Sequence, residues 1–167
     1  MNRKLSGLYS GLIATGPMTM FMLAAHEELP ERQKSPLSPA TLSFQLIKRV
    51  TGVQKLSQDA QTAMTILSHF GYGSIAGILY AQTSGRLRTS VLAKGALFGI
   101  SFWFANYFVL SPALKLRARG PHMTAQRNAM MFWAHVVWGA CLSYSEEKLR
   151  QSGKEILAGA RKAPRAE

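Results

Sequence analysis

Carboxylates are scarce in this chain and missing from its middle: of eight Asp and Glu residues among 167, none lies between Asp59 and Glu146. A paired-acid mechanism cannot be assembled in that interval, and no HExxH, GxSxG, CxxC or phosphate-loop pattern occurs anywhere, so no enzymatic activity is expected. Cysteine is reduced to a single residue, Cys141, which excludes an internal disulfide and a thiolate metal cluster. It reads as a small packing residue.

What fills the carboxylate-free interval is apolar. Three long apolar runs lie there with Arg and Lys in the gaps between them, and a fourth runs from Leu5 to Ala25. A bilayer imposes this pattern, because an ionised side chain at mid-membrane costs about 3 kcal/mol or more unless it pairs or snorkels. Mean hydropathy over the whole chain is near zero only because a polar stretch from Glu27 to Asp59 and a charged tail from Glu146 dilute it.

The net charge of +12 and the pI of 10.4 call for an anionic partner, nucleic acid or an anionic lipid surface. Position decides for lipid. The cations sit just outside the apolar runs, at Arg3 and Lys4, at Arg86, Arg88 and Lys94, at Lys115, Arg117 and Arg119, and from Lys148 onward. The expected partners are therefore the bilayer and its anionic headgroups, with a second copy or another membrane protein on the helix faces, and no nucleic acid. A soluble basic helical domain that binds nucleic acid is the remote alternative.

Apolar stretches of about 20 residues must close their own backbone hydrogen bonds in lipid, which predicts helices. The fold class expected is all-α: a four-helix transmembrane bundle with spans at about 5–25, 58–82, 91–111 and 125–146. The first span begins after Arg3 and Lys4 like a signal peptide, but its length and the Leu23-Ala24-Ala25 end favour a retained helix. Gly16-Pro17 should kink it, and the third span should stop at Ser111-Pro112. Between the first two spans, Ser38-Pro39 followed by Leu42, Leu46, Ile47 and Val50 predicts an amphipathic interfacial helix over about 39–51. Residues 151–167 form a basic tail, expected to be partly disordered. The N-terminus, second loop and tail hold eleven Lys and Arg against nine in the other loops, which places both termini in the cytoplasm.

Small residues four apart recur in three spans, at Gly7 and Gly11, Gly73 and Gly77, and Gly95 and Gly99. They predict close helix packing, to which Gly139 adds a fourth-span position. The pattern His-x-x-aromatic-Gly appears twice, at His69 to Gly73 and at His135 to Gly139, which reads as two helical hairpins related by a parallel repeat.

Polar side chains within hydrocarbon must face protein or water. His69 and Tyr72 share one face of the second span, Asn106 lies on the small-residue stripe of the third and His135 on the inner face of the fourth. These four form the candidate intramembrane site. Three readings are open: interhelical hydrogen bonds that fasten the bundle, a solute or proton path through a titrating histidine, and bis-histidine haem ligation. Fastening is the default, so no cofactor is expected. His26, Glu27 and Glu28 could offer metal ligands with His122, but adjacent helical residues diverge by about 100°, so no metal is expected.

The run from His69 through Gly73, Gly77 and Tyr80, then Gly95 to Gly99, Pro112 and His135 to Trp138, resembles the YagU-like family of small bacterial inner-membrane proteins over about residues 60–150. The resemblance implies an integral protein of the bacterial cytoplasmic membrane with no activity to carry over. The function expected is that of a structural or accessory membrane subunit, with a small-solute or proton-linked transporter as the alternative.

Overall fold

Each helix begins where a polar residue caps it. Asn2 accepts the Lys4 amide at 3.1 Å and opens α1, Arg3–Glu27. Ser57 accepts the Ala60 amide at 3.3 Å and opens α2, Gln58–Thr83, whose first turn also carries Asp59 against the positive end of the helix dipole. Ser90 does the same for α3, which runs as regular helix from Val91 to Phe104 and continues to Ala113. Thr124 accepts the Arg127 amide at 3.3 Å at the start of α4, Ala125–Lys162. The computed structural model describes residues 2–30, 57–113 and 124–162, and among these there are four long helices and no strand. The amphipathic helix expected at 39–51 lies outside the described residues.

Two boundaries differ from expectation. The third helix does not stop at Ser111: it widens into a π turn over Ala105–Leu110 and passes through Pro112 to Ala113. Proline lacks the amide that would bond four residues back and crowds the carbonyl there, and a wide turn just before it is one way for a helix to absorb both. The fourth helix does not end with its apolar run at 146 but continues to Lys162, well into the segment expected as a partly disordered tail. Lost hydropathy marks where a helix leaves a greasy environment and says nothing about where its backbone ladder ends. Residues 163–167 lie outside the described residues. Helix α1 is unbroken through Pro17.

The helices pack as two antiparallel pairs, α1 with α2 and α3 with α4, joined by an extensive α1–α4 contact. In the first pair Gly7 lies against the Gly77 carbonyl and Gly11 against the Gly73 carbonyl, so the backbones touch. In the second, Gly95 meets the Gly139 carbonyl and Gly99 the His135 carbonyl in the same antiparallel sense. The two His-x-x-aromatic-Gly segments both lie on glycine contacts, but one turn out of register: Gly73 faces the second glycine of its partner step and Gly139 the first. Backbone contact is scant between α2 and α3. Aromatic rings fill that seam: Tyr80 on Phe98 at 5.2 Å, Tyr72 on Phe102 at 5.4 Å, and Trp138 stacked on Phe102 at 5.4 Å.

The usual partition of residues is only partly kept: beside a core of Met, Ala, Trp138 and Leu142, small polar residues go in and large apolar ones stay out. Ser6, Ser10 and Ser143 are wholly buried and Thr15 nearly so, whereas Leu67, Ile75, Met20 and Val109 are more than half exposed. Helix α1 turns Ser6, Gly7, Ser10, Gly11, Ala14 and Thr15 inward, and Leu5, Tyr9, Leu12, Ile13 and Leu23 outward. Small inward residues let the helices approach closely.

Candidate functional site

The four predicted site residues divide among three separate places. His69, on α2, faces α1, with its Nδ1 at 3.5 Å from the Thr19 hydroxyl. Tyr72 and Asn106 bridge α2 and α3: the phenol donates to Asn106 Oδ1 at 2.6 Å, and the Asn106 amide donates to the Phe102 carbonyl at 2.7 Å. That second bond turns Asn106 back on its own helix at the start of the π turn. His135, on α4, is buried, with Nδ1 at 2.8 Å from the Met131 carbonyl and its ring edge-on to Tyr107 at 6.0 Å. A carbonyl only accepts, so Nδ1 carries the proton in this bond. Of the expected cluster, the hydrogen bonds join Tyr72 to Asn106; each histidine is bonded to another partner.

Removing the phenol oxygen tests the bridge. Tyr72→Phe is expected to lower bundle stability by about 1 kcal/mol, the value of one interhelical hydrogen bond, read as an earlier midpoint in denaturing-detergent titration followed by circular dichroism. An unchanged midpoint would remove the bridge from the account of how α2 and α3 are held.

The polar site that sequence reasoning missed lies at one end of the bundle. There the start of α1, the end of α2, the start of α3 and residues 143–150 of α4 enclose a cavity of about 110 Å³. Glu146 forms its floor, almost fully buried, and accepts from the Ser6 hydroxyl at 3.2 Å. Tyr80 turns its hydroxyl toward Ser143 and Ser84 beside this carboxylate. Arg150 lies with Nε 3.9 Å from Glu146 and forms a close ion pair with Glu147, which also accepts from Gln151 at 2.7 Å. The Arg150 hydrogen bond holds the Glu147 carboxyl below the usual carboxylate range. In the sequence Glu146 reads only as the end of a carboxylate-free interval. The available signal was Ser143 three residues before it, on the same helical face as the small residue Gly139.

At the opposite end, His26, Glu27 and Glu28 close α1. Among the described residues no group of three or more His, Cys, Asp or Glu side chains is placed to hold a metal ion.

A family model matches residues 1–155, nearly the whole bundle together with the segment between α1 and α2. The chain belongs to DUF6789, a family of unknown function. No curated protein and no solved structure matches it. The family match includes the first helix and the 28–56 segment, which the YagU-like resemblance over 60–150 leaves out. The family unit therefore takes in all four helices, α1 included.

Proposed function

We propose that this DUF6789 member is a four-span integral protein of the bacterial cytoplasmic membrane that serves as a structural or accessory subunit. The observation that carries the reading is the partition of polar and apolar groups: serines, a threonine and glycines lie inside, while many leucines and isoleucines, with Tyr9, Phe104, Trp133 and Tyr144, lie outside. Two of the helices, Arg3–Glu27 and Val91–Ala113, are long and apolar enough to cross a membrane by length and composition. The polar residues of the other two are largely accounted for internally. On α2 the hydroxyls of Thr62, Thr65, Ser74 and Thr83 all bond to carbonyls one turn back, at 3.0, 2.7, 2.9 and 2.9 Å. On α4, His135 and Ser143 are buried and bonded within their own helix. Hydroxyls spent in this way are tolerable in hydrocarbon.

An accessory role fits the interior. The seam between the two pairs, where a solute path would run, is occupied by Tyr72, Tyr80, Phe98, Phe102 and Trp138 in ring contact. The up-and-down order puts the start of α1, the α2–α3 connection and residues beyond 146 at one end, and these segments carry Arg3, Lys4, Arg88, Lys94, Lys148 and Arg150. This supports a cytoplasmic position for both termini.

Alkaline carbonate washing of membranes from cells expressing the tagged chain tests the assignment. Retention in the pellet is expected, and release to the supernatant would overturn it. Fluorescent-protein fusions that mature only in the cytoplasm should glow at either terminus.

A further inference from the structure

The cavity above Glu146 has more positive than negative wall. Arg150 is engaged by Glu147 and Glu146, and Glu146 is further engaged by Ser6. Arg3 and Lys94 also line the cavity, and no carboxylate among the described residues pairs with either. They come from different helices and face the same space. Arg3 holds its place against Gly85, where an added Cβ would lie 3.4 Å from one guanidinium nitrogen and 3.8 Å from another. A methyl there would only touch the guanidinium, whereas a larger side chain would crowd it.

The geometry points to a binding site for a phosphate group between Arg3 and Lys94. A guanidinium offers a planar pair of donors and an ammonium a compact charge, and together they suit a tetrahedral oxyanion better than either does alone. Glu146 beneath them bars an anion from going deeper, so the cavity holds its ligand at the mouth rather than passing it on. The mouth lies where the apolar exterior gives way to Arg and Lys, the level of lipid phosphates in the four-span reading. The phosphate belongs either to a lipid headgroup or to free phosphate. The lipid form rests on the four-span reading and the free-phosphate form does not.

The test is calorimetric titration of the full-length chain, in a detergent without phosphate, with inorganic phosphate and separately with short-chain phosphatidylglycerol. Saturable binding of at least one is expected. Arg3→Gln combined with Lys94→Gln should weaken it about tenfold or more, the loss of charge-assisted contacts. Lys148→Gln combined with Lys154→Gln, which removes the same charge from exposed positions, should leave it nearly unchanged. Gly85→Leu, which alters no charge, should also weaken it by crowding the guanidinium. Binding of the lipid alone assigns the headgroup, and binding of both with mutual displacement assigns phosphate as such. Equal weakening by the two double variants, or no saturable binding of either probe, overturns the site. Failure of membrane integration would appear in the carbonate wash and not in this titration, so the two results are separable.

Discussion

Gly139→Val is expected to destabilise the bundle by about 3 kcal/mol, roughly a hundredfold in the folding equilibrium, because the new side chain has no room. A Cβ at 139 would drive into the Gly95 carbonyl, with its carbon at 2.8 Å and the Gly99 Cα at 3.1 Å. These are backbone atoms of a continuous helix, so α3 as a whole would have to move. Parting α3 from α4 would also disturb Ser143, which lies against Gly95, and the aromatic seam beyond. Gly71→Ala is the matched control. Nothing lies within 4 Å of its added Cβ, and alanine's higher helix propensity should raise stability by up to about 1 kcal/mol. Reversible unfolding in mixed micelles, followed by circular dichroism, measures both. Equal effects from the two substitutions would mean that close backbone contact does not hold the pair together.

The second large effect is at Trp138. Its ring is 2 % exposed, stacks on Phe102 at 5.4 Å and lies 6.0 Å from Phe98, and those two rings in turn hold Tyr72 and Tyr80 of α2. Trp138→Ala should cost about 3–4 kcal/mol through lost contacts and an unfilled cavity. Because scant backbone contact joins α2 to α3, the loss should fall on that seam. Cysteines placed at Ile75 and Leu97 with Cys141 removed, and crosslinked by reagents of graded length, would report the seam loosening before the α1–α2 pair does. Trp138→Phe should recover most of the stability. If the alanine variant unfolds no earlier than the parent, the aromatic wedge is not what joins the two hairpins.

The helices were legible for a local reason. Apolar runs bounded by Arg, Lys and capping serines mark α1, α2 and α3 to within a few residues, because caps and apolar runs act within one segment. Gly7, Gly11, Gly73, Gly77, Gly95, Gly99 and Gly139 all lie at close helix contacts. The π turn ahead of Pro112 was not legible, because a proline can be accommodated by a wider turn as well as by a stop, and residue order does not distinguish the two. The extension of α4 was missed because charged residues are as compatible with a solvated helix as with a coil.

The candidate site was legible only as residue types. His69, Asn106 and His135 were recognised as polar groups that need partners, but periodicity assigns a face and not a neighbour. Thr19 takes His69, Met131 takes His135 and Tyr72 takes Asn106. The Glu146 cavity could not be seen along the chain, since its walls are drawn from positions as far apart as Arg3 and Arg150.

By itself the sequence determined that the chain is helical, where most helices begin, and which small residues allow them to touch, since these follow from spacing within one segment. Only the tertiary structure decided which polar groups meet, that serines of α1 face inward while most of its leucines face out, and that two cations line a cavity beside a buried glutamate. Pairing across helices depends on rotation and register between segments distant in the chain, and no local pattern encodes either.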